Sequence, residues 1–240
     1  MERNYDELRT ISHAQGRAES MVDVGLRAYM LKVYNYMVGG LALTGLAAYL
    51  TLQSPGLYQA LYGTSLIWLV MLAPLGFVFF LSYRINSIKA STAQALFWVY
   101  SALMGLSLAY VFAIYTGTSI TRVFFITSGT FGAMSLYGYT TKKDLTGFGS
   151  FLFMGLIGII IASLVNIFMG SPALEFAISV IGVLIFTGLT AYDTQRIKMM
   201  YYQGAGQEVQ TKQAIMGALS LYLDFINLFL MLLRLLGDRR

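Results

Sequence analysis

The strongest constraint on this chain is a succession of apolar runs, each about 20 residues or more, the length an α-helix needs to cross a bilayer. They read as Ala28–Thr51, Ala60–Tyr83, Ala90–Tyr115, Thr118–Thr140, Gly147–Met169, Ala173–Arg196 and Ala214–Leu236. Helix breakers stand between them: Ser54-Pro55-Gly56, Tyr115-Thr116-Gly117, Asp144 to Gly147, Gly170-Ser171-Pro172 and Gly204-Ala205-Gly206. The pattern predicts an all-α integral membrane protein with seven transmembrane helices. Composition agrees, because hydrophobic residues make up 57% of the 240 and charged residues only 11%. A soluble domain carries about 25% charged residues, which cover its surface.

Residues 1–27 read as a short polar cytoplasmic tail and residues 28–240 as the transmembrane domain. The tail mixes Arg3, Arg9 and Arg17 with Glu2, Asp6, Glu7, Glu19 and Asp23 and has no apolar segment of the signal-peptide kind. The net charge of +5 is explained by basic loops on the cytoplasmic side, and no basic, aromatic-interleaved stretch points to nucleic acid. Arg27, Lys32, Arg84, Lys89, Lys142, Lys143, Arg196, Lys198 and Lys212 fall on one side of the predicted topology. Only Arg122, Arg234, Arg239 and Arg240 fall on the other, so the N-terminus is expected in the cytoplasm and the C-terminus outside. With no cysteine, disulfides, thiolate metal sites and cysteine nucleophiles are excluded.

Small residues recur at helical spacing: Ser101, Gly105 and Ala109; Ser128 with Gly132 and Gly129 with Ala133; Gly155 and Gly158. Such positions let membrane helices approach closely, and packing is the expected use. Pro74 and Gly76 predict a kink in the second span.

Ionisable residues inside a membrane are costly and point to function by default. Glu175 opens the sixth span, where an acid suits the helix dipole, while Lys32 and Arg234 lie near helix ends and can snorkel. Asp193 and Asp224 remain. With the membrane edge near Lys198 and Ala218, each lies roughly 7–9 Å deep at 1.5 Å per residue. The sixth and seventh spans are antiparallel neighbours, so the two carboxyls can meet at one level. Two carboxylates in low dielectric cannot both ionise cheaply and should share a proton, which makes a pH-responsive lock between two helices. Arg84, at the inner end of the second span, is a candidate counter-charge. Asn227, three residues beyond Asp224, is a candidate polar support. The plainer alternative has each aspartate bonded to a nearby Tyr, Asn or backbone group.

The stretches Ala191-Tyr192-Asp193-Thr194-Gln195 and Leu221-Tyr222-Leu223-Asp224-Phe225-Ile226-Asn227-Leu228-Phe229 resemble the two signatures of the transmembrane Bax inhibitor motif family. Phe131-Gly132-Ala133-Met134-Ser135-Leu136-Tyr137-Gly138-Tyr139-Thr140-Thr141-Lys142 resembles its bacterial members. The resemblance runs from the first span to the C-terminus. It implies a seven-helix fold with the last helix central and a pH-sensitive calcium leak in a bacterial inner membrane. It also implies that the paired aspartates, here Asp193 and Asp224, are the pH sensor. A basic residue of the second helix pairs with them as a latch, which Arg84 matches by position.

Calcium takes about 6–8 oxygen ligands. Two aspartates make at most a weak, transient site completed by water, Asn227 and backbone oxygens, which suits an ion that must also leave. Calcium is therefore expected as the permeating ion, and no cofactor is expected.

Three other readings compete. An intramembrane aspartyl protease would use the same proton-sharing chemistry. Its second helix, however, carries Gly-x-Gly-Asp where this chain has Leu221-Tyr222-Leu223-Asp224. A serine protease lacks a base for its nucleophile, since the only histidine is His13 in the tail. The third reading is regulation by contact with a membrane-bound ATP-dependent protease or the translocation machinery, which the resemblance also implies. The enzymatic readings are the weakest, and the chain is expected not to be an enzyme.

Overall fold

A computed structural model describes residues 2–240, with side chains described from Val24 onward. The tail expected over residues 1–27, His13 included, lies for the most part outside the residues so described. The order is α1 (Glu2–Gln53), α2 (Pro55–Tyr62), α3 (Leu66–Arg84), α4 (Ala90–Ile114), α5 (Gly117–Thr140), α6 (Thr146–Met169), α7 (Pro172–Met199) and α8 (Gln207–Leu236). Among the described residues there is no strand, only an isolated bridge between Tyr115 and Arg239.

Six of these helices are long and apolar enough to cross a membrane: α1 over Val24–Gln53, α3, α4, α6, α7 and α8. The count of seven expected from the apolar runs is therefore not reproduced by that measure. The difference is α5, which at 24 residues is long enough but is diluted by Thr, Ser and Gly and carries Arg122. The expected second span, Ala60–Tyr83, is also divided. Pro55 starts the short α2, and the Gly63 N–H donates to the Gln59 carbonyl to end it, so the crossing helix begins only at Leu66. Tyr62 turns its hydroxyl onto the backbone carbonyls of Leu106 and Ser107 in α4, which ties the break to the bundle. Pro74 lies buried inside a continuous α3.

The last helix is the hub, packing against α1, α4, α5 and α7. Of its most apolar stretch 67% is buried, against 11% for α6, which turns most of its surface to the surroundings. The hub is built from Leu221, Tyr222, Leu228 and Leu233, all essentially inaccessible. Tyr222 is fixed from two sides, by its hydroxyl on Thr44 Oγ1 at 2.6 Å and by the ring of Tyr100 at 5.5 Å. A buried hydroxyl without a partner would cost about 1–3 kcal/mol, so Thr44 matters to where α8 sits.

Two glycines let one helix backbone lie directly on another. A Cβ on Gly105 would meet the Thr44 carbonyl oxygen at 2.5 Å, so α4 lies directly on α1 there. On Gly138 it would collide with the Ala191 carbonyl, so α5 lies on α7 two residues before Asp193.

The two ends of the bundle are closed differently. At one end the last residues fold back: Thr116 N–H donates to the Asp238 carbonyl (3.1 Å) and Arg240 N–H to the Ile114 carbonyl (2.8 Å). Asp238 accepts from Ser119 Oγ at 2.9 Å and pairs with Arg122 at 3.3 Å, while Arg239 reaches Glu175 at 3.4 Å. At the other end Gln195 clamps the α5–α6 loop, donating to the Lys143 carbonyl (2.7 Å) and accepting from Leu145 N–H (2.9 Å).

Candidate functional site

Asp193 lies in the last two turns of α7 and Asp224 in the middle of α8, and the antiparallel hairpin of these helices brings them to one level. Both are buried, at 8% and 5% exposure. Their carboxyl groups face one another within hydrogen-bonding reach. Two bare carboxylates so placed in a poorly polarisable interior would repel strongly. Asp193 Oδ1 and Asp224 Oδ2 are buried, and no protein hydrogen-bond donor reaches them. Buried polar atoms are nearly always satisfied, so two buried acids served by no protein donor call for an explanation.

The plainer alternative for Asp224 finds no support in the geometry. Asn227 turns its amide back to the Leu223 carbonyl of its own helix at 2.8 Å and makes no hydrogen bond to Asp224. The nearest positive charge to the pair is Arg196, one turn along α7, with Nη1 3.9 Å from Asp193 Oδ1. Its side chain is 47% exposed, so solvent weakens that attraction. Arg84 ends α3 on the surface, and α3 packs on α4 and α2. No described salt bridge joins Arg84 to either aspartate. The spacing of Asp193 and Arg196, three residues apart on one helix, was readable in the sequence as a neighbouring pair.

A small cavity of about 60 Å³ reaches Asp193 from the end of the hairpin, lined by Arg196, Ile197, Met200, Met216, Gly217 and Ser220. It has room for roughly two water molecules at about 30 Å³ each. Asp193 thus borders this cavity beside Arg196, while Asp224 does not line it.

A chain of hydroxyls backs the site. Thr194, next to Asp193, donates to the Thr190 carbonyl (2.8 Å) and bonds Ser135 of α5 at 2.9 Å; Ser135 in turn bonds the Tyr34 hydroxyl of α1. The helix carrying Asp193 is therefore joined through hydroxyls to α5 and α1. Sequence reasoning did not single out Ser135, Thr194 or Tyr34, whose partners are far apart along the chain.

Among the described residues no three or more His, Cys, Asp or Glu side chains gather. Two carboxyls supply at most four of the six to eight oxygens a resident calcium wants.

The chain matches the family model described as inhibitor of apoptosis-promoting Bax1 over residues 26–240. It is 56% identical over 218 residues to the uncharacterized protein RP147 of Rickettsia prowazekii, covering 91% of this chain and 92% of that one. It is 48% identical over 235 residues to the inner membrane protein YbhL of Escherichia coli strain K12, covering 93% and 98%. A membrane protein of Streptococcus pyogenes serotype M1 is 39% identical over 227 residues, covering 90% and 94%. Matched over nearly its whole length by model and relatives alike, this helical membrane protein belongs to the Bax inhibitor family.

Proposed function

We propose that the protein mediates a pH-sensitive leak of cations, calcium in particular, across the bacterial inner membrane, with Asp193 and Asp224 as sensor and gate. The observation that carries this reading is the contact of two buried carboxyls on neighbouring membrane helices, with no protein donor to either. A shared proton holds α7 against α8. When it leaves, two like charges remain, which repel and attract a cation. The weak site that results suits passage rather than storage. The cavity beside Arg196 is the approach from the cytoplasmic side, in the orientation set by the basic loops. Arg196 tempers the negative charge of Asp193 from within its own helix. Arg84 acts as a latch in this reading only after α3 moves toward the pair.

Calcium flux into liposomes containing the purified protein tests the proposal. Asp193→Asn and Asp224→Asn should each flatten the dependence of flux on pH. Arg196→Ala should shift the profile, and Arg84→Ala should raise basal flux if Arg84 is the latch. A profile unchanged in both aspartate variants would sink the mechanism and turn attention to regulation of a membrane-bound protease.

A further inference from the structure

The hairpin site leaves a much larger feature unused. Helices α1 and α5 stand apart along much of their length and enclose a cleft of about 850 Å³, floored by Phe225 of the hub helix. Its walls are apolar, with Leu31, Met37 and Leu41 facing Phe131 and Leu136. The small residues of α5 open onto it: a Cβ on Gly132 would meet nothing within 4 Å. That volume is within the range of pockets that hold discrete ligands, about 300–1,000 Å³.

One end of the cleft has a different character. Arg27 lines it there together with Tyr139, and the Lys198 ammonium sits 5.0 Å from the centre of the Tyr139 ring while donating to the Tyr139 carbonyl at 2.8 Å. No Asp or Glu lines the cleft among the described residues. Arg27 begins the membrane-crossing part of α1, and Tyr139 and Lys198 stand at the ends of α5 and α7. The positive end therefore lies at the level of a headgroup layer, with the apolar length running inward.

We propose that this cleft is a binding site for an anionic phospholipid, its phosphate held at Arg27 and an acyl chain lying between α1 and α5. The chain rests on the wall that carries the Tyr34–Ser135–Thr194 hydrogen bonds, so the lipid braces the face of α7 behind Asp193. The site stands independently of the leak reading, since it needs neither aspartate.

Native mass spectrometry of the protein taken from vesicles of mixed phosphatidylglycerol and phosphatidylcholine tests this. The wild type should retain phosphatidylglycerol about fivefold over phosphatidylcholine, the discrimination one basic residue supplies near an anionic headgroup. Arg27→Gln should retain lipid but lose the preference. Gly132→Trp should retain little of either, and Ser128→Phe, which fills the same cleft, serves if the tryptophan variant does not fold. Equal retention of the two lipids by the wild type would overturn the proposal. So would a preference that survives Arg27→Gln, undiminished lipid in both cleft-filling variants, or a lipid-free dimer in which a second copy fills the cleft.

Discussion

The two ends of the helix bundle are held by opposite kinds of chemistry. At the end formed by Glu175, Tyr115 and the C-terminal residues, a clasp of backbone hydrogen bonds and exposed ion pairs joins four elements. Its charged side chains are 43–73% exposed, so each pair adds little and salt weakens it. Near the other end, α7 meets α8 and α5 through buried contacts with no slack: the Asp193–Asp224 pair, the Gly138–Ala191 approach and the Gln195 clamp. A closure made of many weak, wet contacts gives way gradually. In the proposed reading, a closure that turns on a single proton and a tight steric fit has two states, which is what a gate requires.

That contrast predicts where substitutions hurt. Gly138→Leu should be the most damaging, since the Ala191 backbone occupies the space of even a Cβ. Overpacking of this kind costs about 1–3 kcal/mol or more, and thermal unfolding in detergent micelles would register it. Gln195→Leu should come next. It leaves Leu145 N–H and the Lys143 carbonyl without partners at a cost of about 1–3 kcal/mol, and hydrogen exchange across residues 141–146 should quicken. At the clasp, Arg122→Ala with Arg239→Ala should lower stability by about 1 kcal/mol per pair at most, and the loss should shrink as salt is added. Equal damage at both ends would erase the distinction.

The smallest effect concerns Asp144, in the loop before α6. The Thr146 N–H donates to its carboxyl at 2.8 Å, and the polar groups of Thr146 hold that carboxyl below the usual aspartate range. Its stabilisation is thus present above the ordinary value of about 3.9 and is lost as pH falls through the lower folded value. Asp144→Asn should unfold at a slightly lower temperature than the wild type at neutral pH and match it in strong acid. A difference that persists in acid would mean the charge is not what stabilises the loop.

Much of this was readable in the sequence because lipid makes charge conspicuous. Asp193 and Asp224 stand out only because so few ionisable residues occur in the apolar runs, and the hairpin of adjacent helices makes their meeting geometrically natural. The break at Gly63 to Ser65 was hidden because apolar residues continue on both sides of it. Arg196 was read for topology rather than as the neighbour of Asp193. The small residues show what spacing alone does not carry. Gly105 and Gly155 do meet a neighbouring helix, whereas Gly129, Gly132 and Gly158 face open space. The same spacing serves close packing on α4 and a cleft wall on α5, because the outcome depends on which helix the chain later places opposite.

The central claim is that a proton shared by Asp193 and Asp224 controls passage of a cation. Its most direct test is calcium flux into liposomes across about pH 5 to 8, the wild type beside the double variant Asp193→Asn/Asp224→Asn. The account predicts flux that varies with pH in the wild type and loses that variation in the double variant. Flux no greater than through empty liposomes at every pH, or a double variant with the wild-type profile, would contradict it.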